Sequence, residues 1–243
     1  MKAAVIFFLT ILLSSFAYAE KERLNIAVNL GPPWAYYDAT GKATGIDVET
    51  IRAVFNELGY TTHFWILPYN RLIKEFNDEK FDFASPAAFH SVVGFRTTRY
   101  LPYRDVAITR KADGIRLHKW EDLKSMRIVA YQHALHVLGP EFEKAVSFSH
   151  YIELAERDVQ LKLLAFERTD VVVGEKRLLH YILKENHAEL EVTTHNIFPV
   201  QHYGGIGLDE ALVQQFNRGV NRFINNGHFE KLLNKWEQNV DSP

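Results

Sequence analysis

The chain of 243 residues contains no cysteine. That excludes disulfides, thiolate catalysis and cysteine-ligated metal centres, so the packed core must supply the stability. An excess of charge of one sign is also missing. Lys and Arg number 28 against 30 Asp and Glu, a formal net charge of −2. Such a chain carries no electrostatic footprint for nucleic acid or an anionic membrane. Beyond the N-terminus no apolar run approaches the roughly 20 residues that span a bilayer. Eleven histidines are present but scattered. None makes the helical pair with a Glu that marks a zinc hydrolase, and His133 and His136 have no acidic partner nearby in sequence, so no metal is expected. No phosphate-cradling Gly-rich loop or nucleophile elbow appears, and no cofactor is expected.

One hydrophobic run is present, at the start. Lys2 precedes an almost wholly apolar stretch from Ala3 to Leu13, and Ala17-Tyr18-Ala19 places small residues where a signal peptidase reads them. Residues 1–19 are expected to be a cleaved secretory signal. The remaining 224 residues, with net charge −3 once Lys2 is gone, suit one large domain or two lobes.

Leu24 to Val28 reads as a strand, and Gly31-Pro32-Pro33-Trp34 turns it into a loop. Asp47 is expected to cap a helix with Val48, Ile51, Val54, Phe55 and Leu58 on one face, ended by Gly59. Thr61 to Ile66 alternates as a strand, Tyr69 to Phe76 repeats as a helix, and Phe81 to Ala84 is a further strand. This βαβαβ order implies a parallel sheet with right-handed crossovers. A second cycle follows. Val106 to Thr109 and Arg127 to Ala130 read as strands, the region near His136 to Phe142 and Leu154 to Phe166 as helices, Val171 to Val173 as a strand and Leu178 to Leu183 as a helix. Phe198 to Leu208 reads as an extended return segment, followed by helices over Glu210 to Asn225 and Phe229 to Gln238. No Pro/Ser linker separates the halves, so paired strands are expected to join them as a hinge.

Eight segments in this order carry a family resemblance: Leu24 to Val28, Pro33 to Tyr36, Gly41 to Val48, Phe81 to Ala84, Tyr100-Leu101-Pro102-Tyr103, Trp120-Glu121-Asp122-Leu123, Thr169 to Val173, and Asn226-Gly227-His228-Phe229 to Lys235-Trp236. The chain resembles the periplasmic solute-binding proteins of ABC importers, in the family 3 subgroup that binds polar amino acids. The resemblance implies an α/β fold of type II. Each of its two lobes would be a mostly parallel sheet flanked by helices, joined by a two-strand hinge. Lobe one would span 20–108 plus 200–243 and lobe two 109–199. It also implies a monomer in the periplasm, with a small-molecule ligand and an inner-membrane ABC permease as partners. Ligands of such sheets sit at the carboxyl ends of the strands.

The resemblance directs attention to particular residues. Trp34 and Tyr36 stand where the family places aromatic walls. Tyr69 and Arg71 open a helix aimed at the cleft, and Arg71 has the fork that clamps a carboxylate. Ser85 follows the Phe81 to Ala84 strand, at whose end the family binds ammonium or carboxylate groups, although Pro86 removes one backbone donor. Arg96, with Arg99 as its competitor, stands near the family's main carboxylate Arg. Tyr103 is placed beside the hinge. Gln132 and His133 occupy a turn where the family has smaller residues whose amides bind anions. At position 174 the resemblance implies an Asp that grips the ligand's amine, yet the residue is Gly174, followed by Glu175. Glu175 either replaces that Asp or points to solvent. Tyr203 precedes Gly204-Gly205, a pair expected to ease hinge bending.

The function implied is capture of an amino acid or related carboxylate by hinge closure. Two other readings use the same scaffold: a dehydratase-like enzyme with Glu175 as general acid, and a sensory solute-binding module.

Overall fold

A computed structural model describes residues 22–241, with side chains through Trp236. The expected signal peptide, residues 1–19, lies outside the described residues.

Strand β1 (Arg23–Asn29) buries Leu24, Ile26, Ala27 and Val28, and is an inner strand of the first sheet. A small hairpin of β2 (Tyr36–Tyr37) and β3 (Ala43–Thr44) leads into helix α1 (Ile46–Glu57). Strand β4 (Thr61–Leu67), helix α2 (Tyr69–Asn77) and strand β5 (Phe83–Ser85) complete the βαβαβ unit. β4 and β5 both run parallel to β1. A short strand β6 (Phe95–Arg96) lies at the far edge.

The ten-residue strand β7 (Leu101–Arg110) then leaves this unit. Strand β8 (Arg127–Tyr131), helices α3 (Ala134–Leu138) and α4 (Pro140–Val146), strand β9 (His150–Leu154), helix α5 (Arg157–Ala165), strand β10 (Val171–Glu175), helix α6 (Lys176–Asn186) and strand β11 (Val192–His195) follow. The second sheet has the order β11-β7-β10-β8-β9. The chain returns through β12 (Val200–Tyr203) and β13 (Ile206–Gly207), the latter joining the first sheet, and ends in α7 (Glu210–Asn225) and α8 (His228–Asp241).

The result is a two-lobed type II fold. β7 passes between the lobes: Leu101 to Arg104 pair with β12, and Asp105 to Arg110 pair with β10 and β11. In lobe one the rings of Phe55, Phe83 and Phe216 pack at centroid distances of 4.9–5.4 Å. In lobe two Phe142 and Phe198 form a second aromatic centre with Trp120.

Several expectations need correction. Asp47 does not cap α1, because Gly45 holds that position with φ 118°. Instead Asp47 is fully buried and accepts the Tyr100 hydroxyl at 2.8 Å. The expected helix near His136 to Phe142 is split into α3 and α4 by Gly139, at φ 89°, and Pro140. The expected helix from Leu154 begins only at Arg157, and His150 to Leu154 form a strand. Gly204 and Gly205 are glycine for lack of room. A Cβ on Gly204 would come within 2.5 Å of Thr97 Oγ1, and one on Gly205 within 2.3 Å of the Phe83 ring.

Candidate functional site: a carboxylate and tyrosine cleft between the lobes

A cavity of about 330 Å³ lies where the lobes meet. Its lobe-one side is the loop after β1, with Gly31, Pro32 and Trp34, together with Pro68, Tyr69, Pro86 and Ala88. Tyr103 and Asp105 of β7 and Tyr203 of β12 line it from the crossing strands. Lobe two supplies Tyr131, Gln132, Glu156, Arg157, Asp158 and Glu175. The crossing strands and the carboxyl ends of β1, β5, β8 and β10 converge here, as open α/β sheets lead one to expect.

Glu175 is the centre of this arrangement. It is 6% exposed, and its Oε2 accepts from Trp34 Nε1 at 2.8 Å and from Leu178 N at 2.9 Å. The second bond makes Glu175 the N-cap of α6, so the same oxygen that faces Trp34 also starts a helix. Its Oε1 is buried without a hydrogen-bond partner. Burial pushes the Glu175 carboxyl up from the usual range, against the indole and backbone donors that stabilise its anion.

Strand geometry decides why position 175 rather than 174 carries the acid. Successive side chains alternate across a strand. A Cβ on Gly174 would point at Leu179 of α6, 3.1 Å from its Cδ1, inside the core that also holds Val172. An acidic residue at 174 would therefore enter the core, whereas Glu175 faces the cleft. Glu175 is buried at the cavity wall and does not point to solvent.

Directly opposite Glu175 in the antiparallel β7–β10 ladder stands Asp105. Residues so paired have Cβ atoms about 4.5–5.5 Å apart. Asp105 is 7% exposed, accepts the Tyr131 hydroxyl at 2.9 Å, and is raised to about 7 chiefly by burial. Arg157 lies with its guanidinium over the Tyr131 ring, 5.3 Å from the centroid, and donates to the Ala155 carbonyl. Tyr103 packs against both Trp34 and Tyr203, at 4.4 and 5.5 Å between centroids. Asp105, Tyr131 and Arg157 escaped the sequence reading. The available signal for Asp105 was a lone carboxylate two residues from Tyr103 and two from Ala107, on one face of β7.

The cleft thus gathers Trp34, Tyr69, Tyr103, Gln132, Glu175 and Tyr203 from the expected set. The other expected residues stand elsewhere. Tyr36 packs on Tyr181 and Trp236 away from the cavity lining. Arg71 is exposed and pairs with Glu75 one turn along α2. Ser85 is fully buried and bonded to Tyr100, which bridges it to Asp47. Arg96 donates to the carbonyls of Ala87 and Phe89, and with Arg99 lines a separate groove beside β12. His133, at φ 64°, bonds through Nε2 to Asn70 Oδ1 on α2, tying the lobes at the cleft mouth. Its backbone N–H and that of Leu135 are taken by Glu153, at 2.6 and 3.1 Å.

Comparison with known proteins places this geometry. The profile of bacterial extracellular solute-binding proteins, family 3, matches residues 24–239. An arginine-binding periplasmic protein of Mannheimia haemolytica is 24% identical, over 94% of this chain and 96% of that relative. The ABC transporter arginine-binding protein 1 of Escherichia coli is 25% identical, over 94% and 97%. The fold matches, at a TM-score of 0.76 and 16% identity, an amino acid ABC transporter substrate-binding protein of Streptococcus pneumoniae solved with L-arginine, covering 91% of this chain and 97% of that one. The two lobes, the crossing strands and a profile match spanning nearly every described residue agree, and the chain belongs to the bacterial extracellular solute-binding proteins of family 3.

Proposed function

We propose that this protein captures a small amine-bearing solute of the amino-acid class outside the cytoplasm and delivers it to an ABC permease. The carrying observation is Glu175 Oε1, a buried carboxylate oxygen without a partner at the wall of a cleft between two lobes. Burying an unpaired acceptor is unfavourable by about 1–3 kcal/mol. A bound ammonium or guanidinium relieves that cost, so ligand and cleft stabilise each other. Trp34, Tyr69, Tyr103 and Tyr203 supply aromatic faces for the ligand's apolar or cationic parts.

Closure follows from the same contacts. The Trp34–Glu175 and Asn70–His133 bonds both join lobe to lobe. A ligand favours the joined arrangement by its differential affinity for it. Bending would fall on β7 and β12, which alone cross between the sheets among the described residues. The same closure serves transport without any chemical step. The raised pKa of Glu175 would also suit an acid catalyst, but two donors fix its Oε2 as an acceptor, and the family binds solutes.

A thermal-shift screen of residues 20–243 tests the proposal, with amino acids, amines, dicarboxylates and cyclic acids. A true ligand at a hundredfold excess over Kd stabilises the fold by about 2.7 kcal/mol. A rise in Tm with an amine-bearing solute is expected. A rise with no amine-bearing compound would overturn the reading.

A further inference from the structure

Four carboxylates line the cleft, from Asp105, Glu156, Asp158 and Glu175, against the single guanidinium of Arg157. Asp158 is already engaged by Lys162, Asn186 and His187. Asp105 and Glu175 are instead side by side on neighbouring strands, nearly buried, and face the cavity together. Two carboxylates so placed repel each other unless a proton or a cation lies between them. Glu175 Oε1 is a buried acceptor without a hydrogen-bond partner, on a carboxylate that the charge of Arg177, stacked over Trp34, already partly offsets.

Several donors that could hold a ligand's carboxylate are spent within the protein, which leaves Arg157 as the cationic side chain on the lining. Arg71 is paired with Glu75, and Arg96 is turned toward the carbonyls of Ala87 and Phe89. Pro86 has no N–H to give at the end of β5. At the turn before α3 the amides of His133 and Leu135 already hold the carboxylate of Glu153. The protein's own acid thus fills the place where an incoming carboxylate would find backbone donors. Arg157 lies between two acidic neighbours in sequence and over Tyr131.

We propose that the cleft selects an organic cation without a carboxylate, an alkylamine or alkylguanidine, with its charged head between Asp105 and Glu175. This deepens the solute-binding reading and rests on it. Trp34, Tyr103, Tyr131 and Tyr203 would enclose the alkyl part and face the charge with their rings. Loss of the ligand's carboxylate removes a group that would otherwise be desolvated near four acids with Arg157 as its one cationic side chain on the lining. A buried charge in that position is unfavourable.

Titration calorimetry of residues 20–243 with arginine, agmatine, putrescine and succinate decides the matter, because agmatine is arginine without its carboxylate. Agmatine or putrescine is expected to bind at least tenfold more tightly than arginine. Asp105→Asn, checked for folding by its thermal melt, is expected to weaken that binding at least tenfold. Glu175→Gln, which keeps an acceptor for Leu178 N, should do the same. Arginine binding tenfold or more tighter than agmatine would overturn the inference while leaving solute capture intact, with Arg157 as the carboxylate clamp. Binding of succinate alone would overturn both this inference and the amine-bearing class of the solute, leaving only capture of a carboxylate. Heat from none of the four, together with a blank thermal-shift screen, would remove the solute-binding reading as well. Equal agmatine affinity in wild type and both variants would exclude the carboxylate pair as the seat of the cation.

Discussion

The indole Nε1 of Trp34 donates to Glu175 Oε2 at 2.8 Å, and in doing so joins the loop after β1 to the end of β10 across the cleft. Hydrogen bonds to a charged partner contribute about 1.5–3 kcal/mol. Trp34→Phe keeps most of the ring and removes the donor. It is expected to weaken ligand binding roughly tenfold or more, read by calorimetry, with a small change in the Tm of the free protein. An unchanged affinity would show that the bond does not contribute to closure.

Gly174→Asp provides a sharp test of the strand register. If position 174 faced the cleft, the added acid would enhance capture of a cation. The geometry instead drives its Cβ to 3.1 Å from Leu179 Cδ1 and its charge into the apolar core around Leu179 and Val172. The variant is expected to lose about 3 kcal/mol or more of stability and to gain no affinity. Normal stability with tighter binding would contradict the register.

The βαβαβ order of lobe one was legible because α1 and α2 repeat apolar residues at helical spacing between short apolar strands. β9 and β11 were not recognised. Both are edge strands of the second sheet, and their half-exposed residues lack a continuous apolar signal. The site divided along similar lines. Residues near strand ends on the cleft side, such as Trp34 and Tyr103, could be placed through the family resemblance, whereas Glu175 was left between cleft and solvent. Long side chains could not be so placed, because Arg71 and Arg96 can swing toward or away from the cleft with no change of sequence. Asp105 stayed hidden for a third reason. Its importance comes from standing opposite Glu175, a pairing between residues distant in sequence that only the sheet register supplies.

Asp47 makes a prediction about pH. It is wholly buried, and burial raises its carboxyl from 3.8 to about 6 despite the Tyr100 hydroxyl. A group raised in the folded state binds its proton there while the unfolded chain has already released it. Its stabilising contribution is present below pH 4 and lost as pH rises through about 6. A shift of that size corresponds to about 3 kcal/mol. Thermal melts of Asp47→Asn should therefore lose the part of the stability decline that wild type shows between pH 4 and pH 6. Identical slopes for the two proteins would refute the assignment.

Asp105 makes the opposite prediction for ligand. The groups facing it are the Tyr131 hydroxyl on β8, Glu175 on β10, Arg157 on α5 and Tyr203 on β12. A bound cation favours its ionised form, so affinity should rise as pH passes through about 7, with a proton released on binding. Calorimetry in two buffers of different ionisation heat counts that proton. Affinity that is flat from pH 6 to pH 8 would argue against it.

Asn70 and His133 meet at the mouth of the cleft from opposite lobes. Asn70→Ala should lower ligand affinity severalfold, for a loss of about 1 kcal/mol, and speed dissociation in a stopped-flow trace. No change in either quantity would leave the pair as a surface contact.

Glu175 is at once the wall of the cleft and the cap of α6. A lineage that drifts toward a new ligand at this residue must keep a side chain able to start a helix. Caps are drawn mainly from Asp, Asn, Ser and Thr, and an uncapped helix is weaker by about 1 kcal/mol. Evolution of specificity at the centre of the site is thereby confined to a narrow set of polar residues. Change is freer on the surrounding tyrosines, which carry no such second duty at a helix end.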